Sequence, residues 1–252
     1  MKVSRFFAAI CIVGFLKSAF AGPEIYDPLE AYKKVNNLPV RPVRETVTVG
    51  TSRETARFTY DHGLLVRADY SYGPKDLPAG HSVYEYDKGL LVHEQLFDAA
   101  GRLAEEIRYQ YKAGKLDKSM IHDVRGAAKI EWHYLYDKEG NLAGGKRLLS
   151  GKPTESFKLV RHAAGITQHI YNAKGELTAK VESTLEKGVL RSRVRTGLTG
   201  ARYAEYRYNE KNLLIEIIYH ETVRGEKTFV KKHQFDYSLQ RDLPKTALHQ
   251  TP

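Results

Sequence analysis

The chain has 252 residues, a formal charge of +10, 42% hydrophobic residues, 17 tyrosines and a single cysteine. That balance excludes a disordered polyelectrolyte, and Cys11 alone excludes a disulfide framework. The basic excess suits an acidic protein partner or an anionic envelope component.

Residues 1–21, "MKVSRFFAAICIVGFLKSAFA", carry Lys2 and Arg5, then an apolar run from Phe6 to Leu16, then Ala19-Phe20-Ala21. These are the three parts of a cleavable secretory leader, and the run is too short to anchor in a bilayer. Removing it leaves no cysteine and no transmembrane segment. The expected address is the periplasm, and export argues against nucleic acid as a partner. Residues 22–50 read as a short helix, with Asp27 as its cap and Pro28 at its first position, followed by the extended connector "LPVRPVR". Residues 51–238 form the repeat region, and 239–252 a polar tail.

Within the repeat region, turn residues fall every twelve or thirteen positions. One series runs Gly63, Gly89, Gly114, Gly140, Gly165, Gly188 and Asn212; the other runs Gly101, Gly126, Gly151, Gly175, Gly200 and Gly225. In Asp98-x-x-Gly101, Asp137-x-x-Gly140 and Asn172-x-x-Gly175, the first side chain accepts backbone N–H bonds of a type I turn and glycine supplies φ > 0. Asp61-His62-Gly63 and Asp87-Lys88-Gly89 are one residue tighter, the loops expected of short hairpins. Between turns the pattern alternates. Ile130, Trp132, Tyr134 and Tyr136 oppose Lys129, Glu131 and His133, the mark of half-buried strands. Only "GPKDLPAGH" (73–81) breaks the period and reads as an irregular excursion. The expected fold is all-β. It is a long antiparallel meander of about fourteen short strands in repeats of about 25 residues, forming a strongly curved, coiled or barrel-like sheet.

The strings "IRYQYKAGKL" (107–116), "FDAAGRL" (97–103), "WHYLYDKEGNL" (132–142) and "EYRYNEKNLL" (205–214) resemble the tyrosine–aspartate (YD) repeats of Rhs-type and teneurin-type proteins. Aromatic-glycine repeats of the MORN type are similar too. The resemblance covers roughly residues 55–237 and implies hairpins; the spiral shell of the large Rhs proteins needs more repeats than this chain has. Because such repeats are linked to bacterial toxin systems, the resemblance also implies an immunity protein that covers the active site of an effector toxin.

Catalytic signatures do not emerge. The ten histidines show no metal-ligand spacing, and there is no nucleophile elbow or phosphate-cradling loop. Glu94, Glu105, Glu106 and Glu131 could pair as an acid–base dyad, but nothing in the spacing selects two of them. A non-enzymatic chain without cofactor or metal is expected. The best partner-binding candidate is the alternation Arg191, Arg193, Arg195, which on a strand places three guanidinium groups on one face, with Arg202 and Arg207 on the facing strand. Besides an immunity protein, two readings stay open: an envelope scaffold and an outer-membrane β-barrel. The last requires an apolar outward band, and strands such as "VKKHQFDY" are charged. A hydrolase assembled across the sheet is the remaining rival.

Overall fold

A computed structural model describes residues 41–124, 129–197, 200–223 and 226–237. The leader, the helix expected after Asp27, turn residues Gly126 and Gly225, and the C-terminal tail lie outside the described residues.

Among the described residues, sixteen strands follow one another. The first eight are β1 (Arg44–Val49), β2 (Ser52–Asp61), β3 (Leu64–Tyr72), β4 (Leu77–Asp87), β5 (Leu90–Asp98), β6 (Leu103–Lys112), β7 (Lys115–Asp123) and β8 (Lys129–Tyr136). The second eight are β9 (Leu142–Leu149), β10 (Lys152–His162), β11 (Gly165–Asn172), β12 (Leu177–Glu186), β13 (Val189–Gly197), β14 (Gly200–Tyr208), β15 (Leu214–Val223) and β16 (Glu226–Asp236). Every strand pairs antiparallel with its neighbours in sequence, and β1 pairs with β16, so the sheet closes into a barrel. β1 starts inside the segment expected to be a connector, and 77–81 belong to β4 rather than to an excursion. What breaks the period there is a bulge, where Tyr70 pairs Gly80 and Ser71 pairs Pro78.

The turns follow local chemistry. His62 and Gly63, and Lys88 and Gly89, both have positive φ, the type I′ geometry whose twist matches that of the flanking strands. Asp98 Oδ1 accepts the N–H groups of Ala100 and Arg102, and the Gly101 N–H donates to the Asp98 carbonyl at 2.9 Å. The Gly140 N–H donates to Asp137 O, and that of Gly175 to Asn172 O, in the same way.

A second device recurs at the strand ends. Tyr60, Tyr86, Tyr111, Tyr136 and Tyr208 each pair with the leucine that follows the turn, and one residue beyond that leucine is left unpaired as a bulge. Four of these phenols then donate to a backbone carbonyl one hairpin back, Tyr86 to Leu65, Tyr111 to Leu91, Tyr136 to Leu116 and Tyr208 to Leu190, at 2.8–2.9 Å, and Tyr60 donates to Pro42 O just before β1. In the repeat where a histidine follows Arg161 instead, the Arg161 guanidinium donates to Leu142 O. The aromatic-Asp-x-x-Gly-x-Leu string therefore encodes a turn, a bulge and a tie between neighbouring hairpins.

The bulge also decides which way side chains face. In β5, Leu91, Glu94 and Leu96 are buried inward, three and then two residues apart, while His93, Gln95 and Phe97 face out. The inward face carries Ala56, Leu65, Tyr84, Ile107, Tyr109, Tyr134, Phe157, Ile170 and Val181, in one contiguous cluster. Gly145 lies among them because a Cβ there would meet the Phe157 ring and the His133 carbonyl.

Candidate functional site

The five arginines do not share the single face that alternation suggests. Leu185 pairs Leu190 and Thr184 pairs Ser192, so Arg191 is the bulged residue and leaves the period. It binds Glu186 at 2.8 Å and lies over the Tyr208 ring. Arg193 and Arg195 pair with Ser183 and Val181, both buried inward, so they face the barrel interior. Arg193 is buried and donates to Ser183 Oγ. Arg202 stands opposite Arg195 on the same inward face. Only Arg207 points out, and it is held by Glu216 at 2.9 Å. The candidate carboxylates divide as well: Glu94 is inside, accepting a bond from Tyr109, while Glu106 and Glu131 lie on the outer wall.

The most concentrated buried charge lies instead at the seam where the barrel closes. Glu45 on β1 pairs with Phe235 on β16, and Val47 pairs with His233, which puts Glu45 and His233 diagonally on the inward face. His233 Nδ1 and Glu45 Oε1 are 2.6 Å apart, and both side chains are fully buried. Tyr219 packs its ring against the imidazole at 5.2 Å, and Lys231 Nζ stands 4.6 Å from the same ring. Glu54 on β2 completes the group beside Val47. Glu45 Oε2, Glu54 Oε2 and His233 Nε2 are buried and make no hydrogen bond among the described residues.

Burial pushes the Glu54 carboxyl up to about 7; the Lys231 ammonium opposes that rise and Glu45 adds to it. The two protonation states of Glu54 thus differ by about 3 kcal/mol relative to an exposed glutamate. The sign follows. Below the unfolded pKa the carboxyl is neutral in both states and costs nothing; as pH rises towards 7 the unfolded chain loses the proton first and the native state falls behind. Glu54→Gln is therefore expected to be more stable than the wild type at pH 8, by about 2–3 kcal/mol, and nearly equal to it at pH 4. Urea unfolding at both pH values checks this; an unchanged difference would show that Glu54 stays ionised throughout.

The outer wall is built differently. His93 lies 3.2 Å from both Glu85 and Glu106, and His122 reaches Glu106 from the other side at 3.7 Å. Glu131 ties Lys129 and His133, Glu216 ties Arg207 and Lys232, and Lys227 is held by Glu205. The histidine and lysine contacts hold Glu106, Glu131 and Glu205 below the usual carboxylate range, against their partial burial. A cleft of about 410 Å³ opens on this wall between Arg57, Arg67, Asp69, His81 and Asp98. Arg67 and Asp69 neutralise one another across its floor through a bidentate contact. Among the described residues, no three His, Cys, Asp or Glu side chains are placed to hold a metal ion, and no helix is long and apolar enough to cross a membrane.

No family model and no curated protein matches the chain. Among solved structures it is similar to a porin-like protein from Bacteroides uniformis, at 11% identity and a TM-score of 0.55, over 80% of this chain and 98% of that one. The likeness is one of fold. A porin-like protein from Bacteroides vulgatus aligns at 9% identity and a TM-score of 0.37, over 79% and 99% of the two chains. Of the readings open from sequence, the β-barrel is the one whose architecture this chain has.

Proposed function

We propose that the chain is an envelope β-barrel without catalytic activity, exported by its leader, that keeps its outer wall in water and acts by binding an acidic protein. One observation carries the aqueous part of this reading. Mid-strand outward positions hold His93, Glu106, Glu131, Lys146, Lys180 and Glu216, on strands spread around the barrel. A barrel that spans a bilayer presents an apolar outward band about 25 Å tall, and each lysine or arginine at its midplane costs about 2–4 kcal/mol. The ion pairs on the outer wall are those of a water-facing surface. The narrower reading, an immunity protein against an effector toxin, has no support in the architecture or in the likeness.

The outer-membrane barrel is kept as the second reading, favoured by closure with an even strand number and by the porin-like fold. Fractionation separates the two. Expressed with its leader, the chain is expected in the soluble periplasmic fraction and to be released from membranes by a carbonate wash. Carbonate-resistant retention in the outer membrane would establish the second reading, and conductance across planar bilayers would then be the next measurement.

A further inference from the structure

We infer that the outer wall of β7–β12 is the docking surface for the acidic protein partner. One basic side chain stands on each of the six strands: Lys118, His133, Lys146, Lys158, His169 and Lys180. Lys118 faces His133 and His133 faces Lys146 directly; Lys158, His169 and Lys180 face one another likewise. Lys146 opposes Ser156 and Lys158 opposes Gly144, so Lys146 and Lys158 are diagonal neighbours and join the two rows. Across six strands the band runs about 24 Å.

Like charges directly opposite one another destabilise a sheet. Elsewhere on the outer wall cations are tied to carboxylates, as Arg207 and Lys232 are to Glu216, and as Arg44 and Arg57, which face one another, are to Asp236 and Asp76. Here two of the six are tied to carboxylates, His133 in the middle of one row to Glu131 and Lys180 at the end of the other to Glu182. Lys118, Lys146 and Lys158 contact no carboxylate among the described residues, although Lys158 lies over the Tyr171 ring. Folding does not require such a row, whereas an acidic partner would relieve it. Leu135 and Val160, 57% and 50% exposed, flank Lys146 and Lys158 on the same outward face and add the apolar contact that a protein interface uses. Because the band follows the curvature of six among sixteen strands, a flat bilayer would meet only part of it.

The test uses the purified chain with fluorescent poly-L-glutamate as the probe, and phosphatidylglycerol vesicles as a second arm. A triple variant, Lys118→Gln, Lys146→Gln and Lys158→Gln, is compared with Arg207→Gln, Lys227→Gln and Lys232→Gln, which removes the same charge from another wall. The first triple is expected to weaken poly-L-glutamate binding about tenfold at low salt and to flatten its salt dependence, the second less than threefold. Equal losses would reduce the wall to net charge and overturn the inference. So would vesicle binding abolished by the first triple without any binding of poly-L-glutamate, since the occupant would then be a lipid surface. This inference rests on the aqueous reading above, but the two fail separately. Retention in the outer membrane together with a wall-specific loss refutes only that reading; a periplasmic chain with equal losses refutes only this one.

Discussion

Glu45→Ala is expected to destabilise the barrel by about 3 kcal/mol, because it leaves a buried polar group without its hydrogen-bond partner and opens a cavity beside it. The substitution leaves His233 fully buried without the Glu45 carboxyl it is hydrogen-bonded to, in a site already crowded by Lys231 and Tyr219. It also opens the one place where the sheet is held by strands distant in sequence. Urea unfolding, followed through Trp132, should show the loss as a lowered midpoint. An apolar double variant, Glu45→Met with His233→Leu, should recover most of the stability, because a buried pair replaced by packed side chains is often neutral. If the single variant loses less than about 1 kcal/mol, the seam is held by β1–β16 backbone pairing and not by its side chains.

Gly80→Val is the second large effect. Gly80 has a φ of +133°, where side-chain-bearing residues are strained, and an added Cβ would press into the Phe97 carbonyl oxygen on β5. Both the backbone and the ladder would have to shift, for a loss of about 3 kcal/mol or more. Gly89→Ala makes the control. Its φ of +77° is also positive, yet nothing lies within 4 Å of the added atom, so about 1 kcal/mol is expected. Comparable losses in the two variants would mean that conformation alone, and not the close approach of β5, fixes the glycine at 80.

These residues also mark how far the sequence could be read. Turns were legible because Asp98, Asp137 and Asn172 act on atoms within four residues of themselves. The hairpin period and the all-β class follow from that local chemistry. Orientation was not legible past a bulge. Strict alternation puts Arg191, Arg193 and Arg195 on one face, but the tie from Tyr208 to Leu190 comes with a bulge at Arg191 that shifts the phase. The same bulge recurs after Leu65, Leu91 and Leu116, so the repeat itself carried the signal. Closure was harder to see, because pairing of β1 with β16 depends on curvature accumulated over fourteen intervening strands. One hint was present: Glu45 alternates with Val47 and Val49, and His233 with Phe235, which places a carboxylate and an imidazole on apolar faces. The cationic band was invisible for a related reason, since each strand contributes one residue and only the register assembles them.

The seam sets the order in which this chain can be made. Fifteen of the sixteen pairings join consecutive strands, and each can form as soon as its hairpin exists. The sixteenth joins Arg44 to Asp236, which are 192 residues apart. A growing chain must therefore keep the outer edge of β1 unpaired until almost the last strand has been synthesised. That open edge is a template for a foreign strand, and a nascent chain is at greatest risk of aggregation while it persists. Such long-range pairing is also intrinsically slow, because the whole loop must be ordered before it is rewarded.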